Sequence, residues 1–461
     1  MLKKAGRKGT PKKLGNTVSP ALTKAGRKGT PKKLGNTVSP GLTKAGRKST
    51  PKKLGNTVSP ALLLTDVTLD RFKAAAKSGP IELRPFNVVI GRNGAGKSTL
   101  LEALQWIDRA LREDIRVACD RYHGIHDLIN VGGPQTKRSF GLELDWKLQS
   151  SPKPISFRYT LQIGERRDRT PEILKEELDN HSGSRSQSLI FQLGKGLRLV
   201  SPSLAGLGML FEDSDHLALG FAPNLGRPRK VLRTSSISPL HDFWSRAVFL
   251  RLSPNRLAQT SPARRKQFDP ILDEEGQHLP ALLNELNDAQ RRQLVKWIQD
   301  VLHDITGVEV SQPESERDEQ VFYSLIEQMP TSKRRTSSKA FPIPAWMLSE
   351  GTRRITALFA LLVREPPPSL LCIEEIENGL DPWTLVTILR HLQSAADRGI
   401  QVIVTTHSPW LLDHVELNAI LHVRRAGGET RYERFADRAS VKAFQGQVPA
   451  GAIYVHDEQK A

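Results

Sequence analysis

Cysteine, aromatic residues and long apolar runs are all scarce in this 461-residue chain. Two cysteines, Cys119 and Cys372, argue against a disulfide framework and for a reducing compartment. No apolar run approaches the ~20 residues that cross a bilayer, and the N-terminus lacks the apolar core of a secretory leader. The expectation is a soluble, cytoplasmic protein with no membrane partner. Residues 1–60 also lack acidic side chains altogether, while holding 16 of the 68 Lys and Arg. The formal charge of +19 is therefore mostly a property of that segment. The remainder, 52 basic against 49 acidic residues, is close to neutral and by its charge says nothing about nucleic acid.

The basic segment is a tandem repeat. Leu2–Ala21, Leu22–Gly41 and Leu42–Ala61 are three copies of one unit that differ only at Lys3/Thr23/Thr43, Gly9/Gly29/Ser49 and Ala21/Gly41/Ala61. Each copy offers two leucines and a valine for burial amid Gly and Pro, too little to offset the entropy of ordering it. We expect residues 1–61 to be disordered. A polybasic arm for phosphate backbones is one reading; a recent duplication of coding DNA, or a misplaced start, is the other and the favoured one.

From residue 62 the chain reads as α/β. Leu62–Leu69 alternates like a first strand, and Phe86–Ile90 is an apolar run that stops at Gly91-Arg92-Asn93-Gly94-Ala95-Gly96-Lys97-Ser98. Beyond it Leu101, Ala103, Leu104, Ile107 and Leu111 follow a helical period. Strand, Gly-rich loop and helix form the context of a phosphate-binding loop. Its glycines let several backbone N–H groups converge, the helix adds its positive end, Lys97 reaches the β- and γ-phosphates, and Ser98 supplies a hydroxyl for Mg²⁺. A chance match to the pattern arises in on the order of one or two per hundred chains of this length, so its flanking elements matter.

Ser139–Trp146 and Ile155–Ile163 read as antiparallel strands. Residues 166–345 are rich in Ser, Pro and Arg. Within them lie a helix at Leu279–Leu286 and another capped by Asn287 and Gln290, with Leu294, Ile298, Val301, Leu302 and Ile305 on one face. Thr331–Pro344 reads as a loop. Order returns with a helix at 350–363, a strand at Ser369–Ile373 and a helix from Pro382 to about Ala396 capped by Asp381. A strand at Gln401–Thr405 and a closing hairpin at Ala419–Val423 and Thr430–Phe435 follow. The alternation implies a largely parallel sheet covered on both faces.

Carboxylates and a histidine punctuate these strands. Glu374 and Glu375 end an apolar strand, where two adjacent charges call for a cation; Glu374 is a candidate for Mg²⁺ and Glu375 for polarising the attacking water. Without the phosphate loop they would be two solvated glutamates. His407 follows the next strand, which should lie beside the one ending at Glu374. Ser349-Glu350-Gly351-Thr352 opens a helix, either as an ordinary N-cap or as an anion site. Cys119, His123 and His126 have only loosely metal-like spacing, with no second half to complete a site.

Together these residues resemble the ABC-type ATPase head, in the branch shared by SMC, RecF and OLD-family proteins. The resemblance covers about 62–165 and 340–436. It implies an α/β P-loop NTPase with an ABC-ATPase-like head, a mixed sheet with helices on both faces and an inserted, mainly helical lobe at 166–345, with 346–461 completing the head. By resemblance Gly91–Ser98 is Walker A, and Gly91, Asn93, Gly94, Gly96, Lys97, Ser98 and Thr99 hold ATP. Ser98 and Glu374 hold Mg²⁺, while Glu375, His407 and Lys97 serve hydrolysis. Ser349 and Gly351 of the signature, with Asp381 of the D-loop (Asn378–Asp381), complete the pocket of a second copy, so a homodimer through ATP is implied. The stretch from Ile373 to Pro382 is similar to stand-alone OLD-like bacterial ATPases, which implies anti-phage defence or DNA repair, possible DNA binding and a separate nuclease effector. Walker B ends in Glu374 where Asp is usual, and the signature carries Glu350 and Thr352. The Q-loop residue is unassigned, with Asn130 and Gln135 as candidates. A transporter ATPase is the alternative, but the 252 residues from Lys97 to Ser349 exceed the spacing of transporter heads. An ATP-locked scaffold is a third reading. Basic clusters at Arg227–Arg233, Arg264–Lys266 and Lys333–Lys339 are either a nucleic-acid surface or solvated loops.

Overall fold

The computed structural model describes residues 62–132, 138–148, 155–182, 185–194, 197–200, 209–211, 215–220, 237–266, 269–313, 319–328, 340–444 and 446–460. The repeat segment, Gln135 and the clusters at Arg227–Arg233 and Lys333–Lys339 lie outside them.

Two large sheets carry the fold. The first is antiparallel, in the order β2-β1-β4-β5-β6-β7-β8-β9. It is built from β1 (Leu62–Phe72), β2 (Ala75–Glu82), β4 (Ser139–Leu148), β5 (Ile155–Glu165), β6 (Pro171–Ser182), β7 (Arg185–Gly194), β8 (Leu197–Val200) and β9 (Met209–Phe211). The second contains β3 (Phe86–Ile90), β10 (Val248–Leu250), β15 (Leu370–Ile373), β16 (Gln401–Thr406), β17 (Ile420–Ala426) and β18 (Glu429–Arg434). Its order is β10-β15-β16-β3-β17-β18, and all neighbours are parallel except the β17/β18 hairpin. A smaller sheet joins β11 (Ser261–Pro262), β12 (Ile305–Ser311), β13 (Gln320–Gln328) and β14 (Ala340–Pro344).

Every residue of β3, β15 and β16 is buried. Side chains alternate across a strand, so each strand serves two cores. Val89, Leu370, Cys372, Ile403 and Leu421 face a core shared with helix α1 (Lys97–Arg112), α2 (Ile115–Asp120), α3 (Ser238–Ser245) and the antiparallel sheet. Val88, Ile90, Leu371, Ile373, Val402 and Val404 face the other core. It is filled by α4 (Leu279–Glu285), α5 (Asp288–Gln299), α6 (Glu350–Val363) and α7 (Pro382–Asp397). The continuous apolar runs in the sequence follow from this two-sided burial. Two short helices, α8 (Ala439–Phe444) and α9 (Ala450–Lys460), close the chain.

The middle of the chain corrects the sequence reading. The described part of 166–345 holds more strand than helix, with α3, α4 and α5 as its α-helices, rather than a mainly helical lobe. The division at 165/166 falls between β5 and β6, which pair along eleven residue positions of one sheet. Ala340–Pro344, read as loop, pairs with Ser324–Gln328. The Asn287/Gln290 capping box is present, but α5 stops at Gln299. Ile298 O accepts from both Val301 N and Leu302 N in a tight final turn, and Ile305 opens β12.

Candidate functional site at the carboxyl ends of the parallel strands

Parallel strands gather their C-terminal ends on one edge of a sheet, and ligands bind there. Along that edge β3 runs into the Gly91 loop, β16 into His407, β15 into Glu374 and β10 into Arg251. Register keeps them level: Ile90 faces Thr406, Val404 faces Ile373, and Ile373 faces Leu250.

The loop needs its glycines for two different reasons. A Cβ on Gly91 would lie 2.0 Å from Val423 O, because β17 crowds the loop's first residue. Gly96 has φ +106°, in the left-handed region, and a Cβ there would sit 2.7 Å from Thr430 Cγ2. The Tyr432 hydroxyl donates to Gly96 O at 2.9 Å, so the closing hairpin braces the loop. Arg92, Asn93, Gly94 and Ser98 are exposed, and Thr99 is buried under the loop. Lys97 folds back over it, donating from Nζ to Gly91 O at 2.8 Å and Arg92 O at 3.1 Å. Burial pulls its ammonium pKa down, against the attraction of Glu375 and Glu377.

Glu374 is half-enclosed. Its N–H donates to Leu250 O at 2.8 Å. Burial pushes its carboxyl up to about 7; Arg251 opposes the shift, and Glu102, Glu274 and Glu375 add to it. Arg251, 3.8 Å away, is exposed and offsets that charge only in part, and Glu374 stands at the end of the strand two places from the phosphate loop. Those are the circumstances in which a divalent ion, with Ser98 as a second oxygen ligand, fits the residues present.

Glu375 adopts φ +49°, a left-handed conformation rare for a residue with a side chain. Two hydrogen bonds hold it there: its N–H donates to Thr405 Oγ1 at 2.9 Å, and Asn378 Nδ2 donates to its Oε2 at 2.6 Å. Its Oε1 lies 3.7 Å from His407 Nε2. His407 is fixed in turn by its backbone N–H, which donates to Glu377 Oε1 at 2.6 Å.

Ser349 caps α6, its Oγ accepting from Thr352 N at 3.1 Å and lying 2.8 Å from Thr352 Oγ1. Gly351 packs on the Asn378–Asp381 loop: a Cβ there would meet Gly379 O at 2.7 Å. Asp381 caps α7, with Oδ1 accepting from Trp383 N and Thr384 N and Oδ2 from Thr384 Oγ1. Those bonds hold its carboxyl below its ordinary range. Thus Lys97, Glu374, Glu375 and His407 gather along one sheet edge. Ser349, Gly351 and Asp381 gather at a second corner, where α6 and α7 begin.

Asn130 is buried. It is spent on its own turn, with Nδ2 donating to Lys73 O at 2.6 Å and Oδ1 accepting from Gly132 N at 2.9 Å. The position flanking Glu374 on the side away from the phosphate loop belongs to Arg251, whose Nε is 3.8 Å from Glu374 Oε2. Sequence reasoning missed it; the short apolar run Val248–Leu250 was the available signal. A cleft of about 910 Å³ opens there, walled by Arg251, Glu374, Glu375, Asn378 and Arg354 among others.

Two other candidates resolve locally. Cys119 is buried, and burial pushes its thiol up to about 12, whereas His123 and His126 are exposed. Within Arg264–Lys266, Arg265 is committed to Glu285 through two hydrogen bonds of 2.9 and 2.6 Å. Arg264 and Lys266 are exposed. Among the described residues, no helix is long and apolar enough to cross a membrane.

Solved structures with a similar fold include an Smc head bound to the C-winged helix domain of ScpA. It has 13% identity and a TM-score of 0.45, covering 80% of this chain and 97% of that one. The SMC head domain from Thermotoga maritima has 15% identity and a TM-score of 0.35, over 80% and 98%. An Smc head with extended coiled coil from Pyrococcus furiosus, bound to the C-terminal domain of ScpA, has 12% identity and a TM-score of 0.43, over 87% and 100%. No curated protein matches the chain. A family described as "AAA domain, putative AbiEii toxin, Type IV TA system" matches residues 86–413. That span is well over half of the chain and includes both corners of the site, and the protein belongs to this AAA family.

Proposed function

We propose that this protein is a Mg²⁺-dependent ATPase that pairs with a second copy of itself around ATP and gates a separate effector, such as a nuclease, in DNA-linked defence or repair. The observation that carries the catalytic part is the strained Glu375, held between Asn378 and His407 at the strand end next to Glu374. A carboxylate held in that conformation suits a task that an unstrained glutamate would not perform.

The roles follow from position. Lys97 leaves the loop carbonyls for the β- and γ-phosphates, which the loop's N–H groups and the start of α1 also receive. Glu374 and Ser98 would hold Mg²⁺, which would supply positive charge to neutralise that developing on the phosphates. Glu375 accepts hydrogen bonds from, and so orients, the attacking water. His407, 3.7 Å from that carboxylate, donates toward the terminal phosphate. The Ser349 and Asp381 corner offers two helix N-termini to the triphosphate of a second copy. The family description, with its toxin and Type IV TA system, is compatible with a role beside a second gene product.

Steady-state hydrolysis and mass test the reading together. Wild type turns over ATP, Glu375→Gln does not, and Glu375→Gln doubles in mass with saturating ATP. Equal near-zero rates for both proteins favour a scaffold over an enzyme. A variant that stays monomeric with ATP refutes pairing. DNA contact, where present, weakens steeply with added salt.

A further inference from the structure

We propose that Arg251 reads the terminal phosphate, so that the site distinguishes a nucleoside triphosphate from a diphosphate. The inference rests on the ATP-site reading above and deepens it.

Arg251 is fixed in position but not in partner. It directly follows β10, which pairs in register with Leu371–Ile373. Its backbone N–H donates to Glu274 O at 2.9 Å, and Ser253 N–H donates to Glu275 O at 3.1 Å, so both sides of its loop are pinned. The side chain, by contrast, is 70% exposed. Its approach to Glu374, at 3.8 Å, is too long for a hydrogen bond. An ion pair this exposed is held weakly.

The other arginines on the cleft wall differ. Arg112 donates to both oxygens of Asp108 at 3.0 and 2.9 Å. Arg121 donates to Glu274 at 2.5 Å, and Arg354 to Glu350 at 3.1 Å. Each of these three has its guanidinium in a hydrogen bond, and Arg109, the remaining arginine of the wall, pairs with Glu113 at 3.4 Å. Arg251 keeps a planar fork of donors beside the carboxylate assigned to the metal.

That placement gives it two partners in sequence. Before nucleotide binds, it partly offsets the charge of Glu374. With a divalent cation on Glu374, Arg251 would lose that partner, and the terminal phosphate would offer it another negative charge. A fork of donors matches phosphate oxygens. A diphosphate does not extend to that point, so Arg251 contributes to ATP and not to ADP. If Arg251 only balances Glu374, it has no means of telling the two apart.

The experiment is equilibrium binding of a non-hydrolysable fluorescent ATP analogue and of fluorescent ADP, both with Mg²⁺, to the full chain. Arg251→Ala should weaken the ATP analogue roughly tenfold or more, the loss typical of a charge-assisted hydrogen bond. It should leave ADP unchanged, which also shows that the variant is folded. Arg251→Lys should recover part of the loss. Equal weakening of both nucleotides, or no change for the ATP analogue, overturns the proposal. A wild type that binds neither nucleotide defeats the ATP-site reading itself and this inference with it, so the two failures are told apart.

Discussion

Glu374→Gln should make the nucleotide-free protein more stable while disabling it. The carboxyl is pushed up to about 7 from its ordinary 4.5, chiefly by burial. Between those pH values the folded state holds a proton that the unfolded state has released. Stability therefore falls as pH rises from 4.5 to 7, and the full penalty is in force above 7. At ~1.4 kcal/mol per pH unit, this amounts to about 3 kcal/mol as an upper bound. Glutamine removes the charge at nearly constant volume. The one ion pair it forgoes, to the exposed Arg251 at 3.8 Å, contributes little. Urea denaturation without nucleotide should then show Glu374→Gln more stable than wild type at pH 8, with the difference shrinking toward zero near pH 4.5. The same variant should lose Mg²⁺-dependent ATP hydrolysis. Equal stability of the two proteins at pH 8 would refute the burial account of Glu374. Retained hydrolysis would refute its assignment to the metal.

The two glycine effects in the phosphate loop separate cleanly. Gly91→Ala drives a Cβ into the Val423 carbonyl, and backbone cannot swing aside, so about 2–4 kcal/mol of stability should go as β17 shifts from β3. Gly94→Ala meets nothing within 4 Å but keeps φ at +74°, a strain of about 1 kcal/mol. Equal losses in urea denaturation would contradict this steric reading. At Asp381, Asn keeps the helix cap while removing the charge, so Asp381→Asn should unfold like wild type. Its ATPase rate should fall if the carboxylate also works across a dimer. Trp383 follows directly and is 82% exposed. Pairing of Glu375→Gln with ATP should shift tryptophan emission to the blue, and Trp383→Phe should abolish most of that shift.

The parts of the fold that were legible share one physical cause. Phe86–Ile90, Leu370–Ile373 and Gln401–Thr406 are buried on both faces, so each reads as a short apolar block beside a helical period, and their parallel pairing followed. The charged residues of the site sat at the ends of those blocks. The strands after 165 lacked such a signature. In β6, Glu176 is fully buried and accepts from the Tyr159 hydroxyl at 3.0 Å and from Ala218 N–H at 2.8 Å and Leu219 N–H at 2.9 Å. A glutamate in a core, satisfied by groups on other strands and loops, reads in sequence as a surface residue. Register shifts between β5 and β6 and between β6 and β7 then break the alternation that would have marked the strands. At Ile305 the helical period continued by coincidence past a helix already ended by its own tight turn.

Arg251 was hidden for a different reason. A strand of three residues carries almost no periodicity, and 123 residues separate Arg251 from Glu374. Only the sheet order joins them, because β10 pairs with β15 and its C-terminal end comes out level with Ile373. Asn130 shows the converse. It has the right polarity and follows the phosphate-loop helix in sequence, yet its side chain is consumed by Lys73 O and Gly132 N–H. A site assembled at strand ends selects residues by topological adjacency, and polarity or sequence distance cannot stand in for it. The residue beside Glu374 is therefore an arginine with an exposed fork, and on the proposed reading ATP should be told from ADP on the edge-strand side of Glu374.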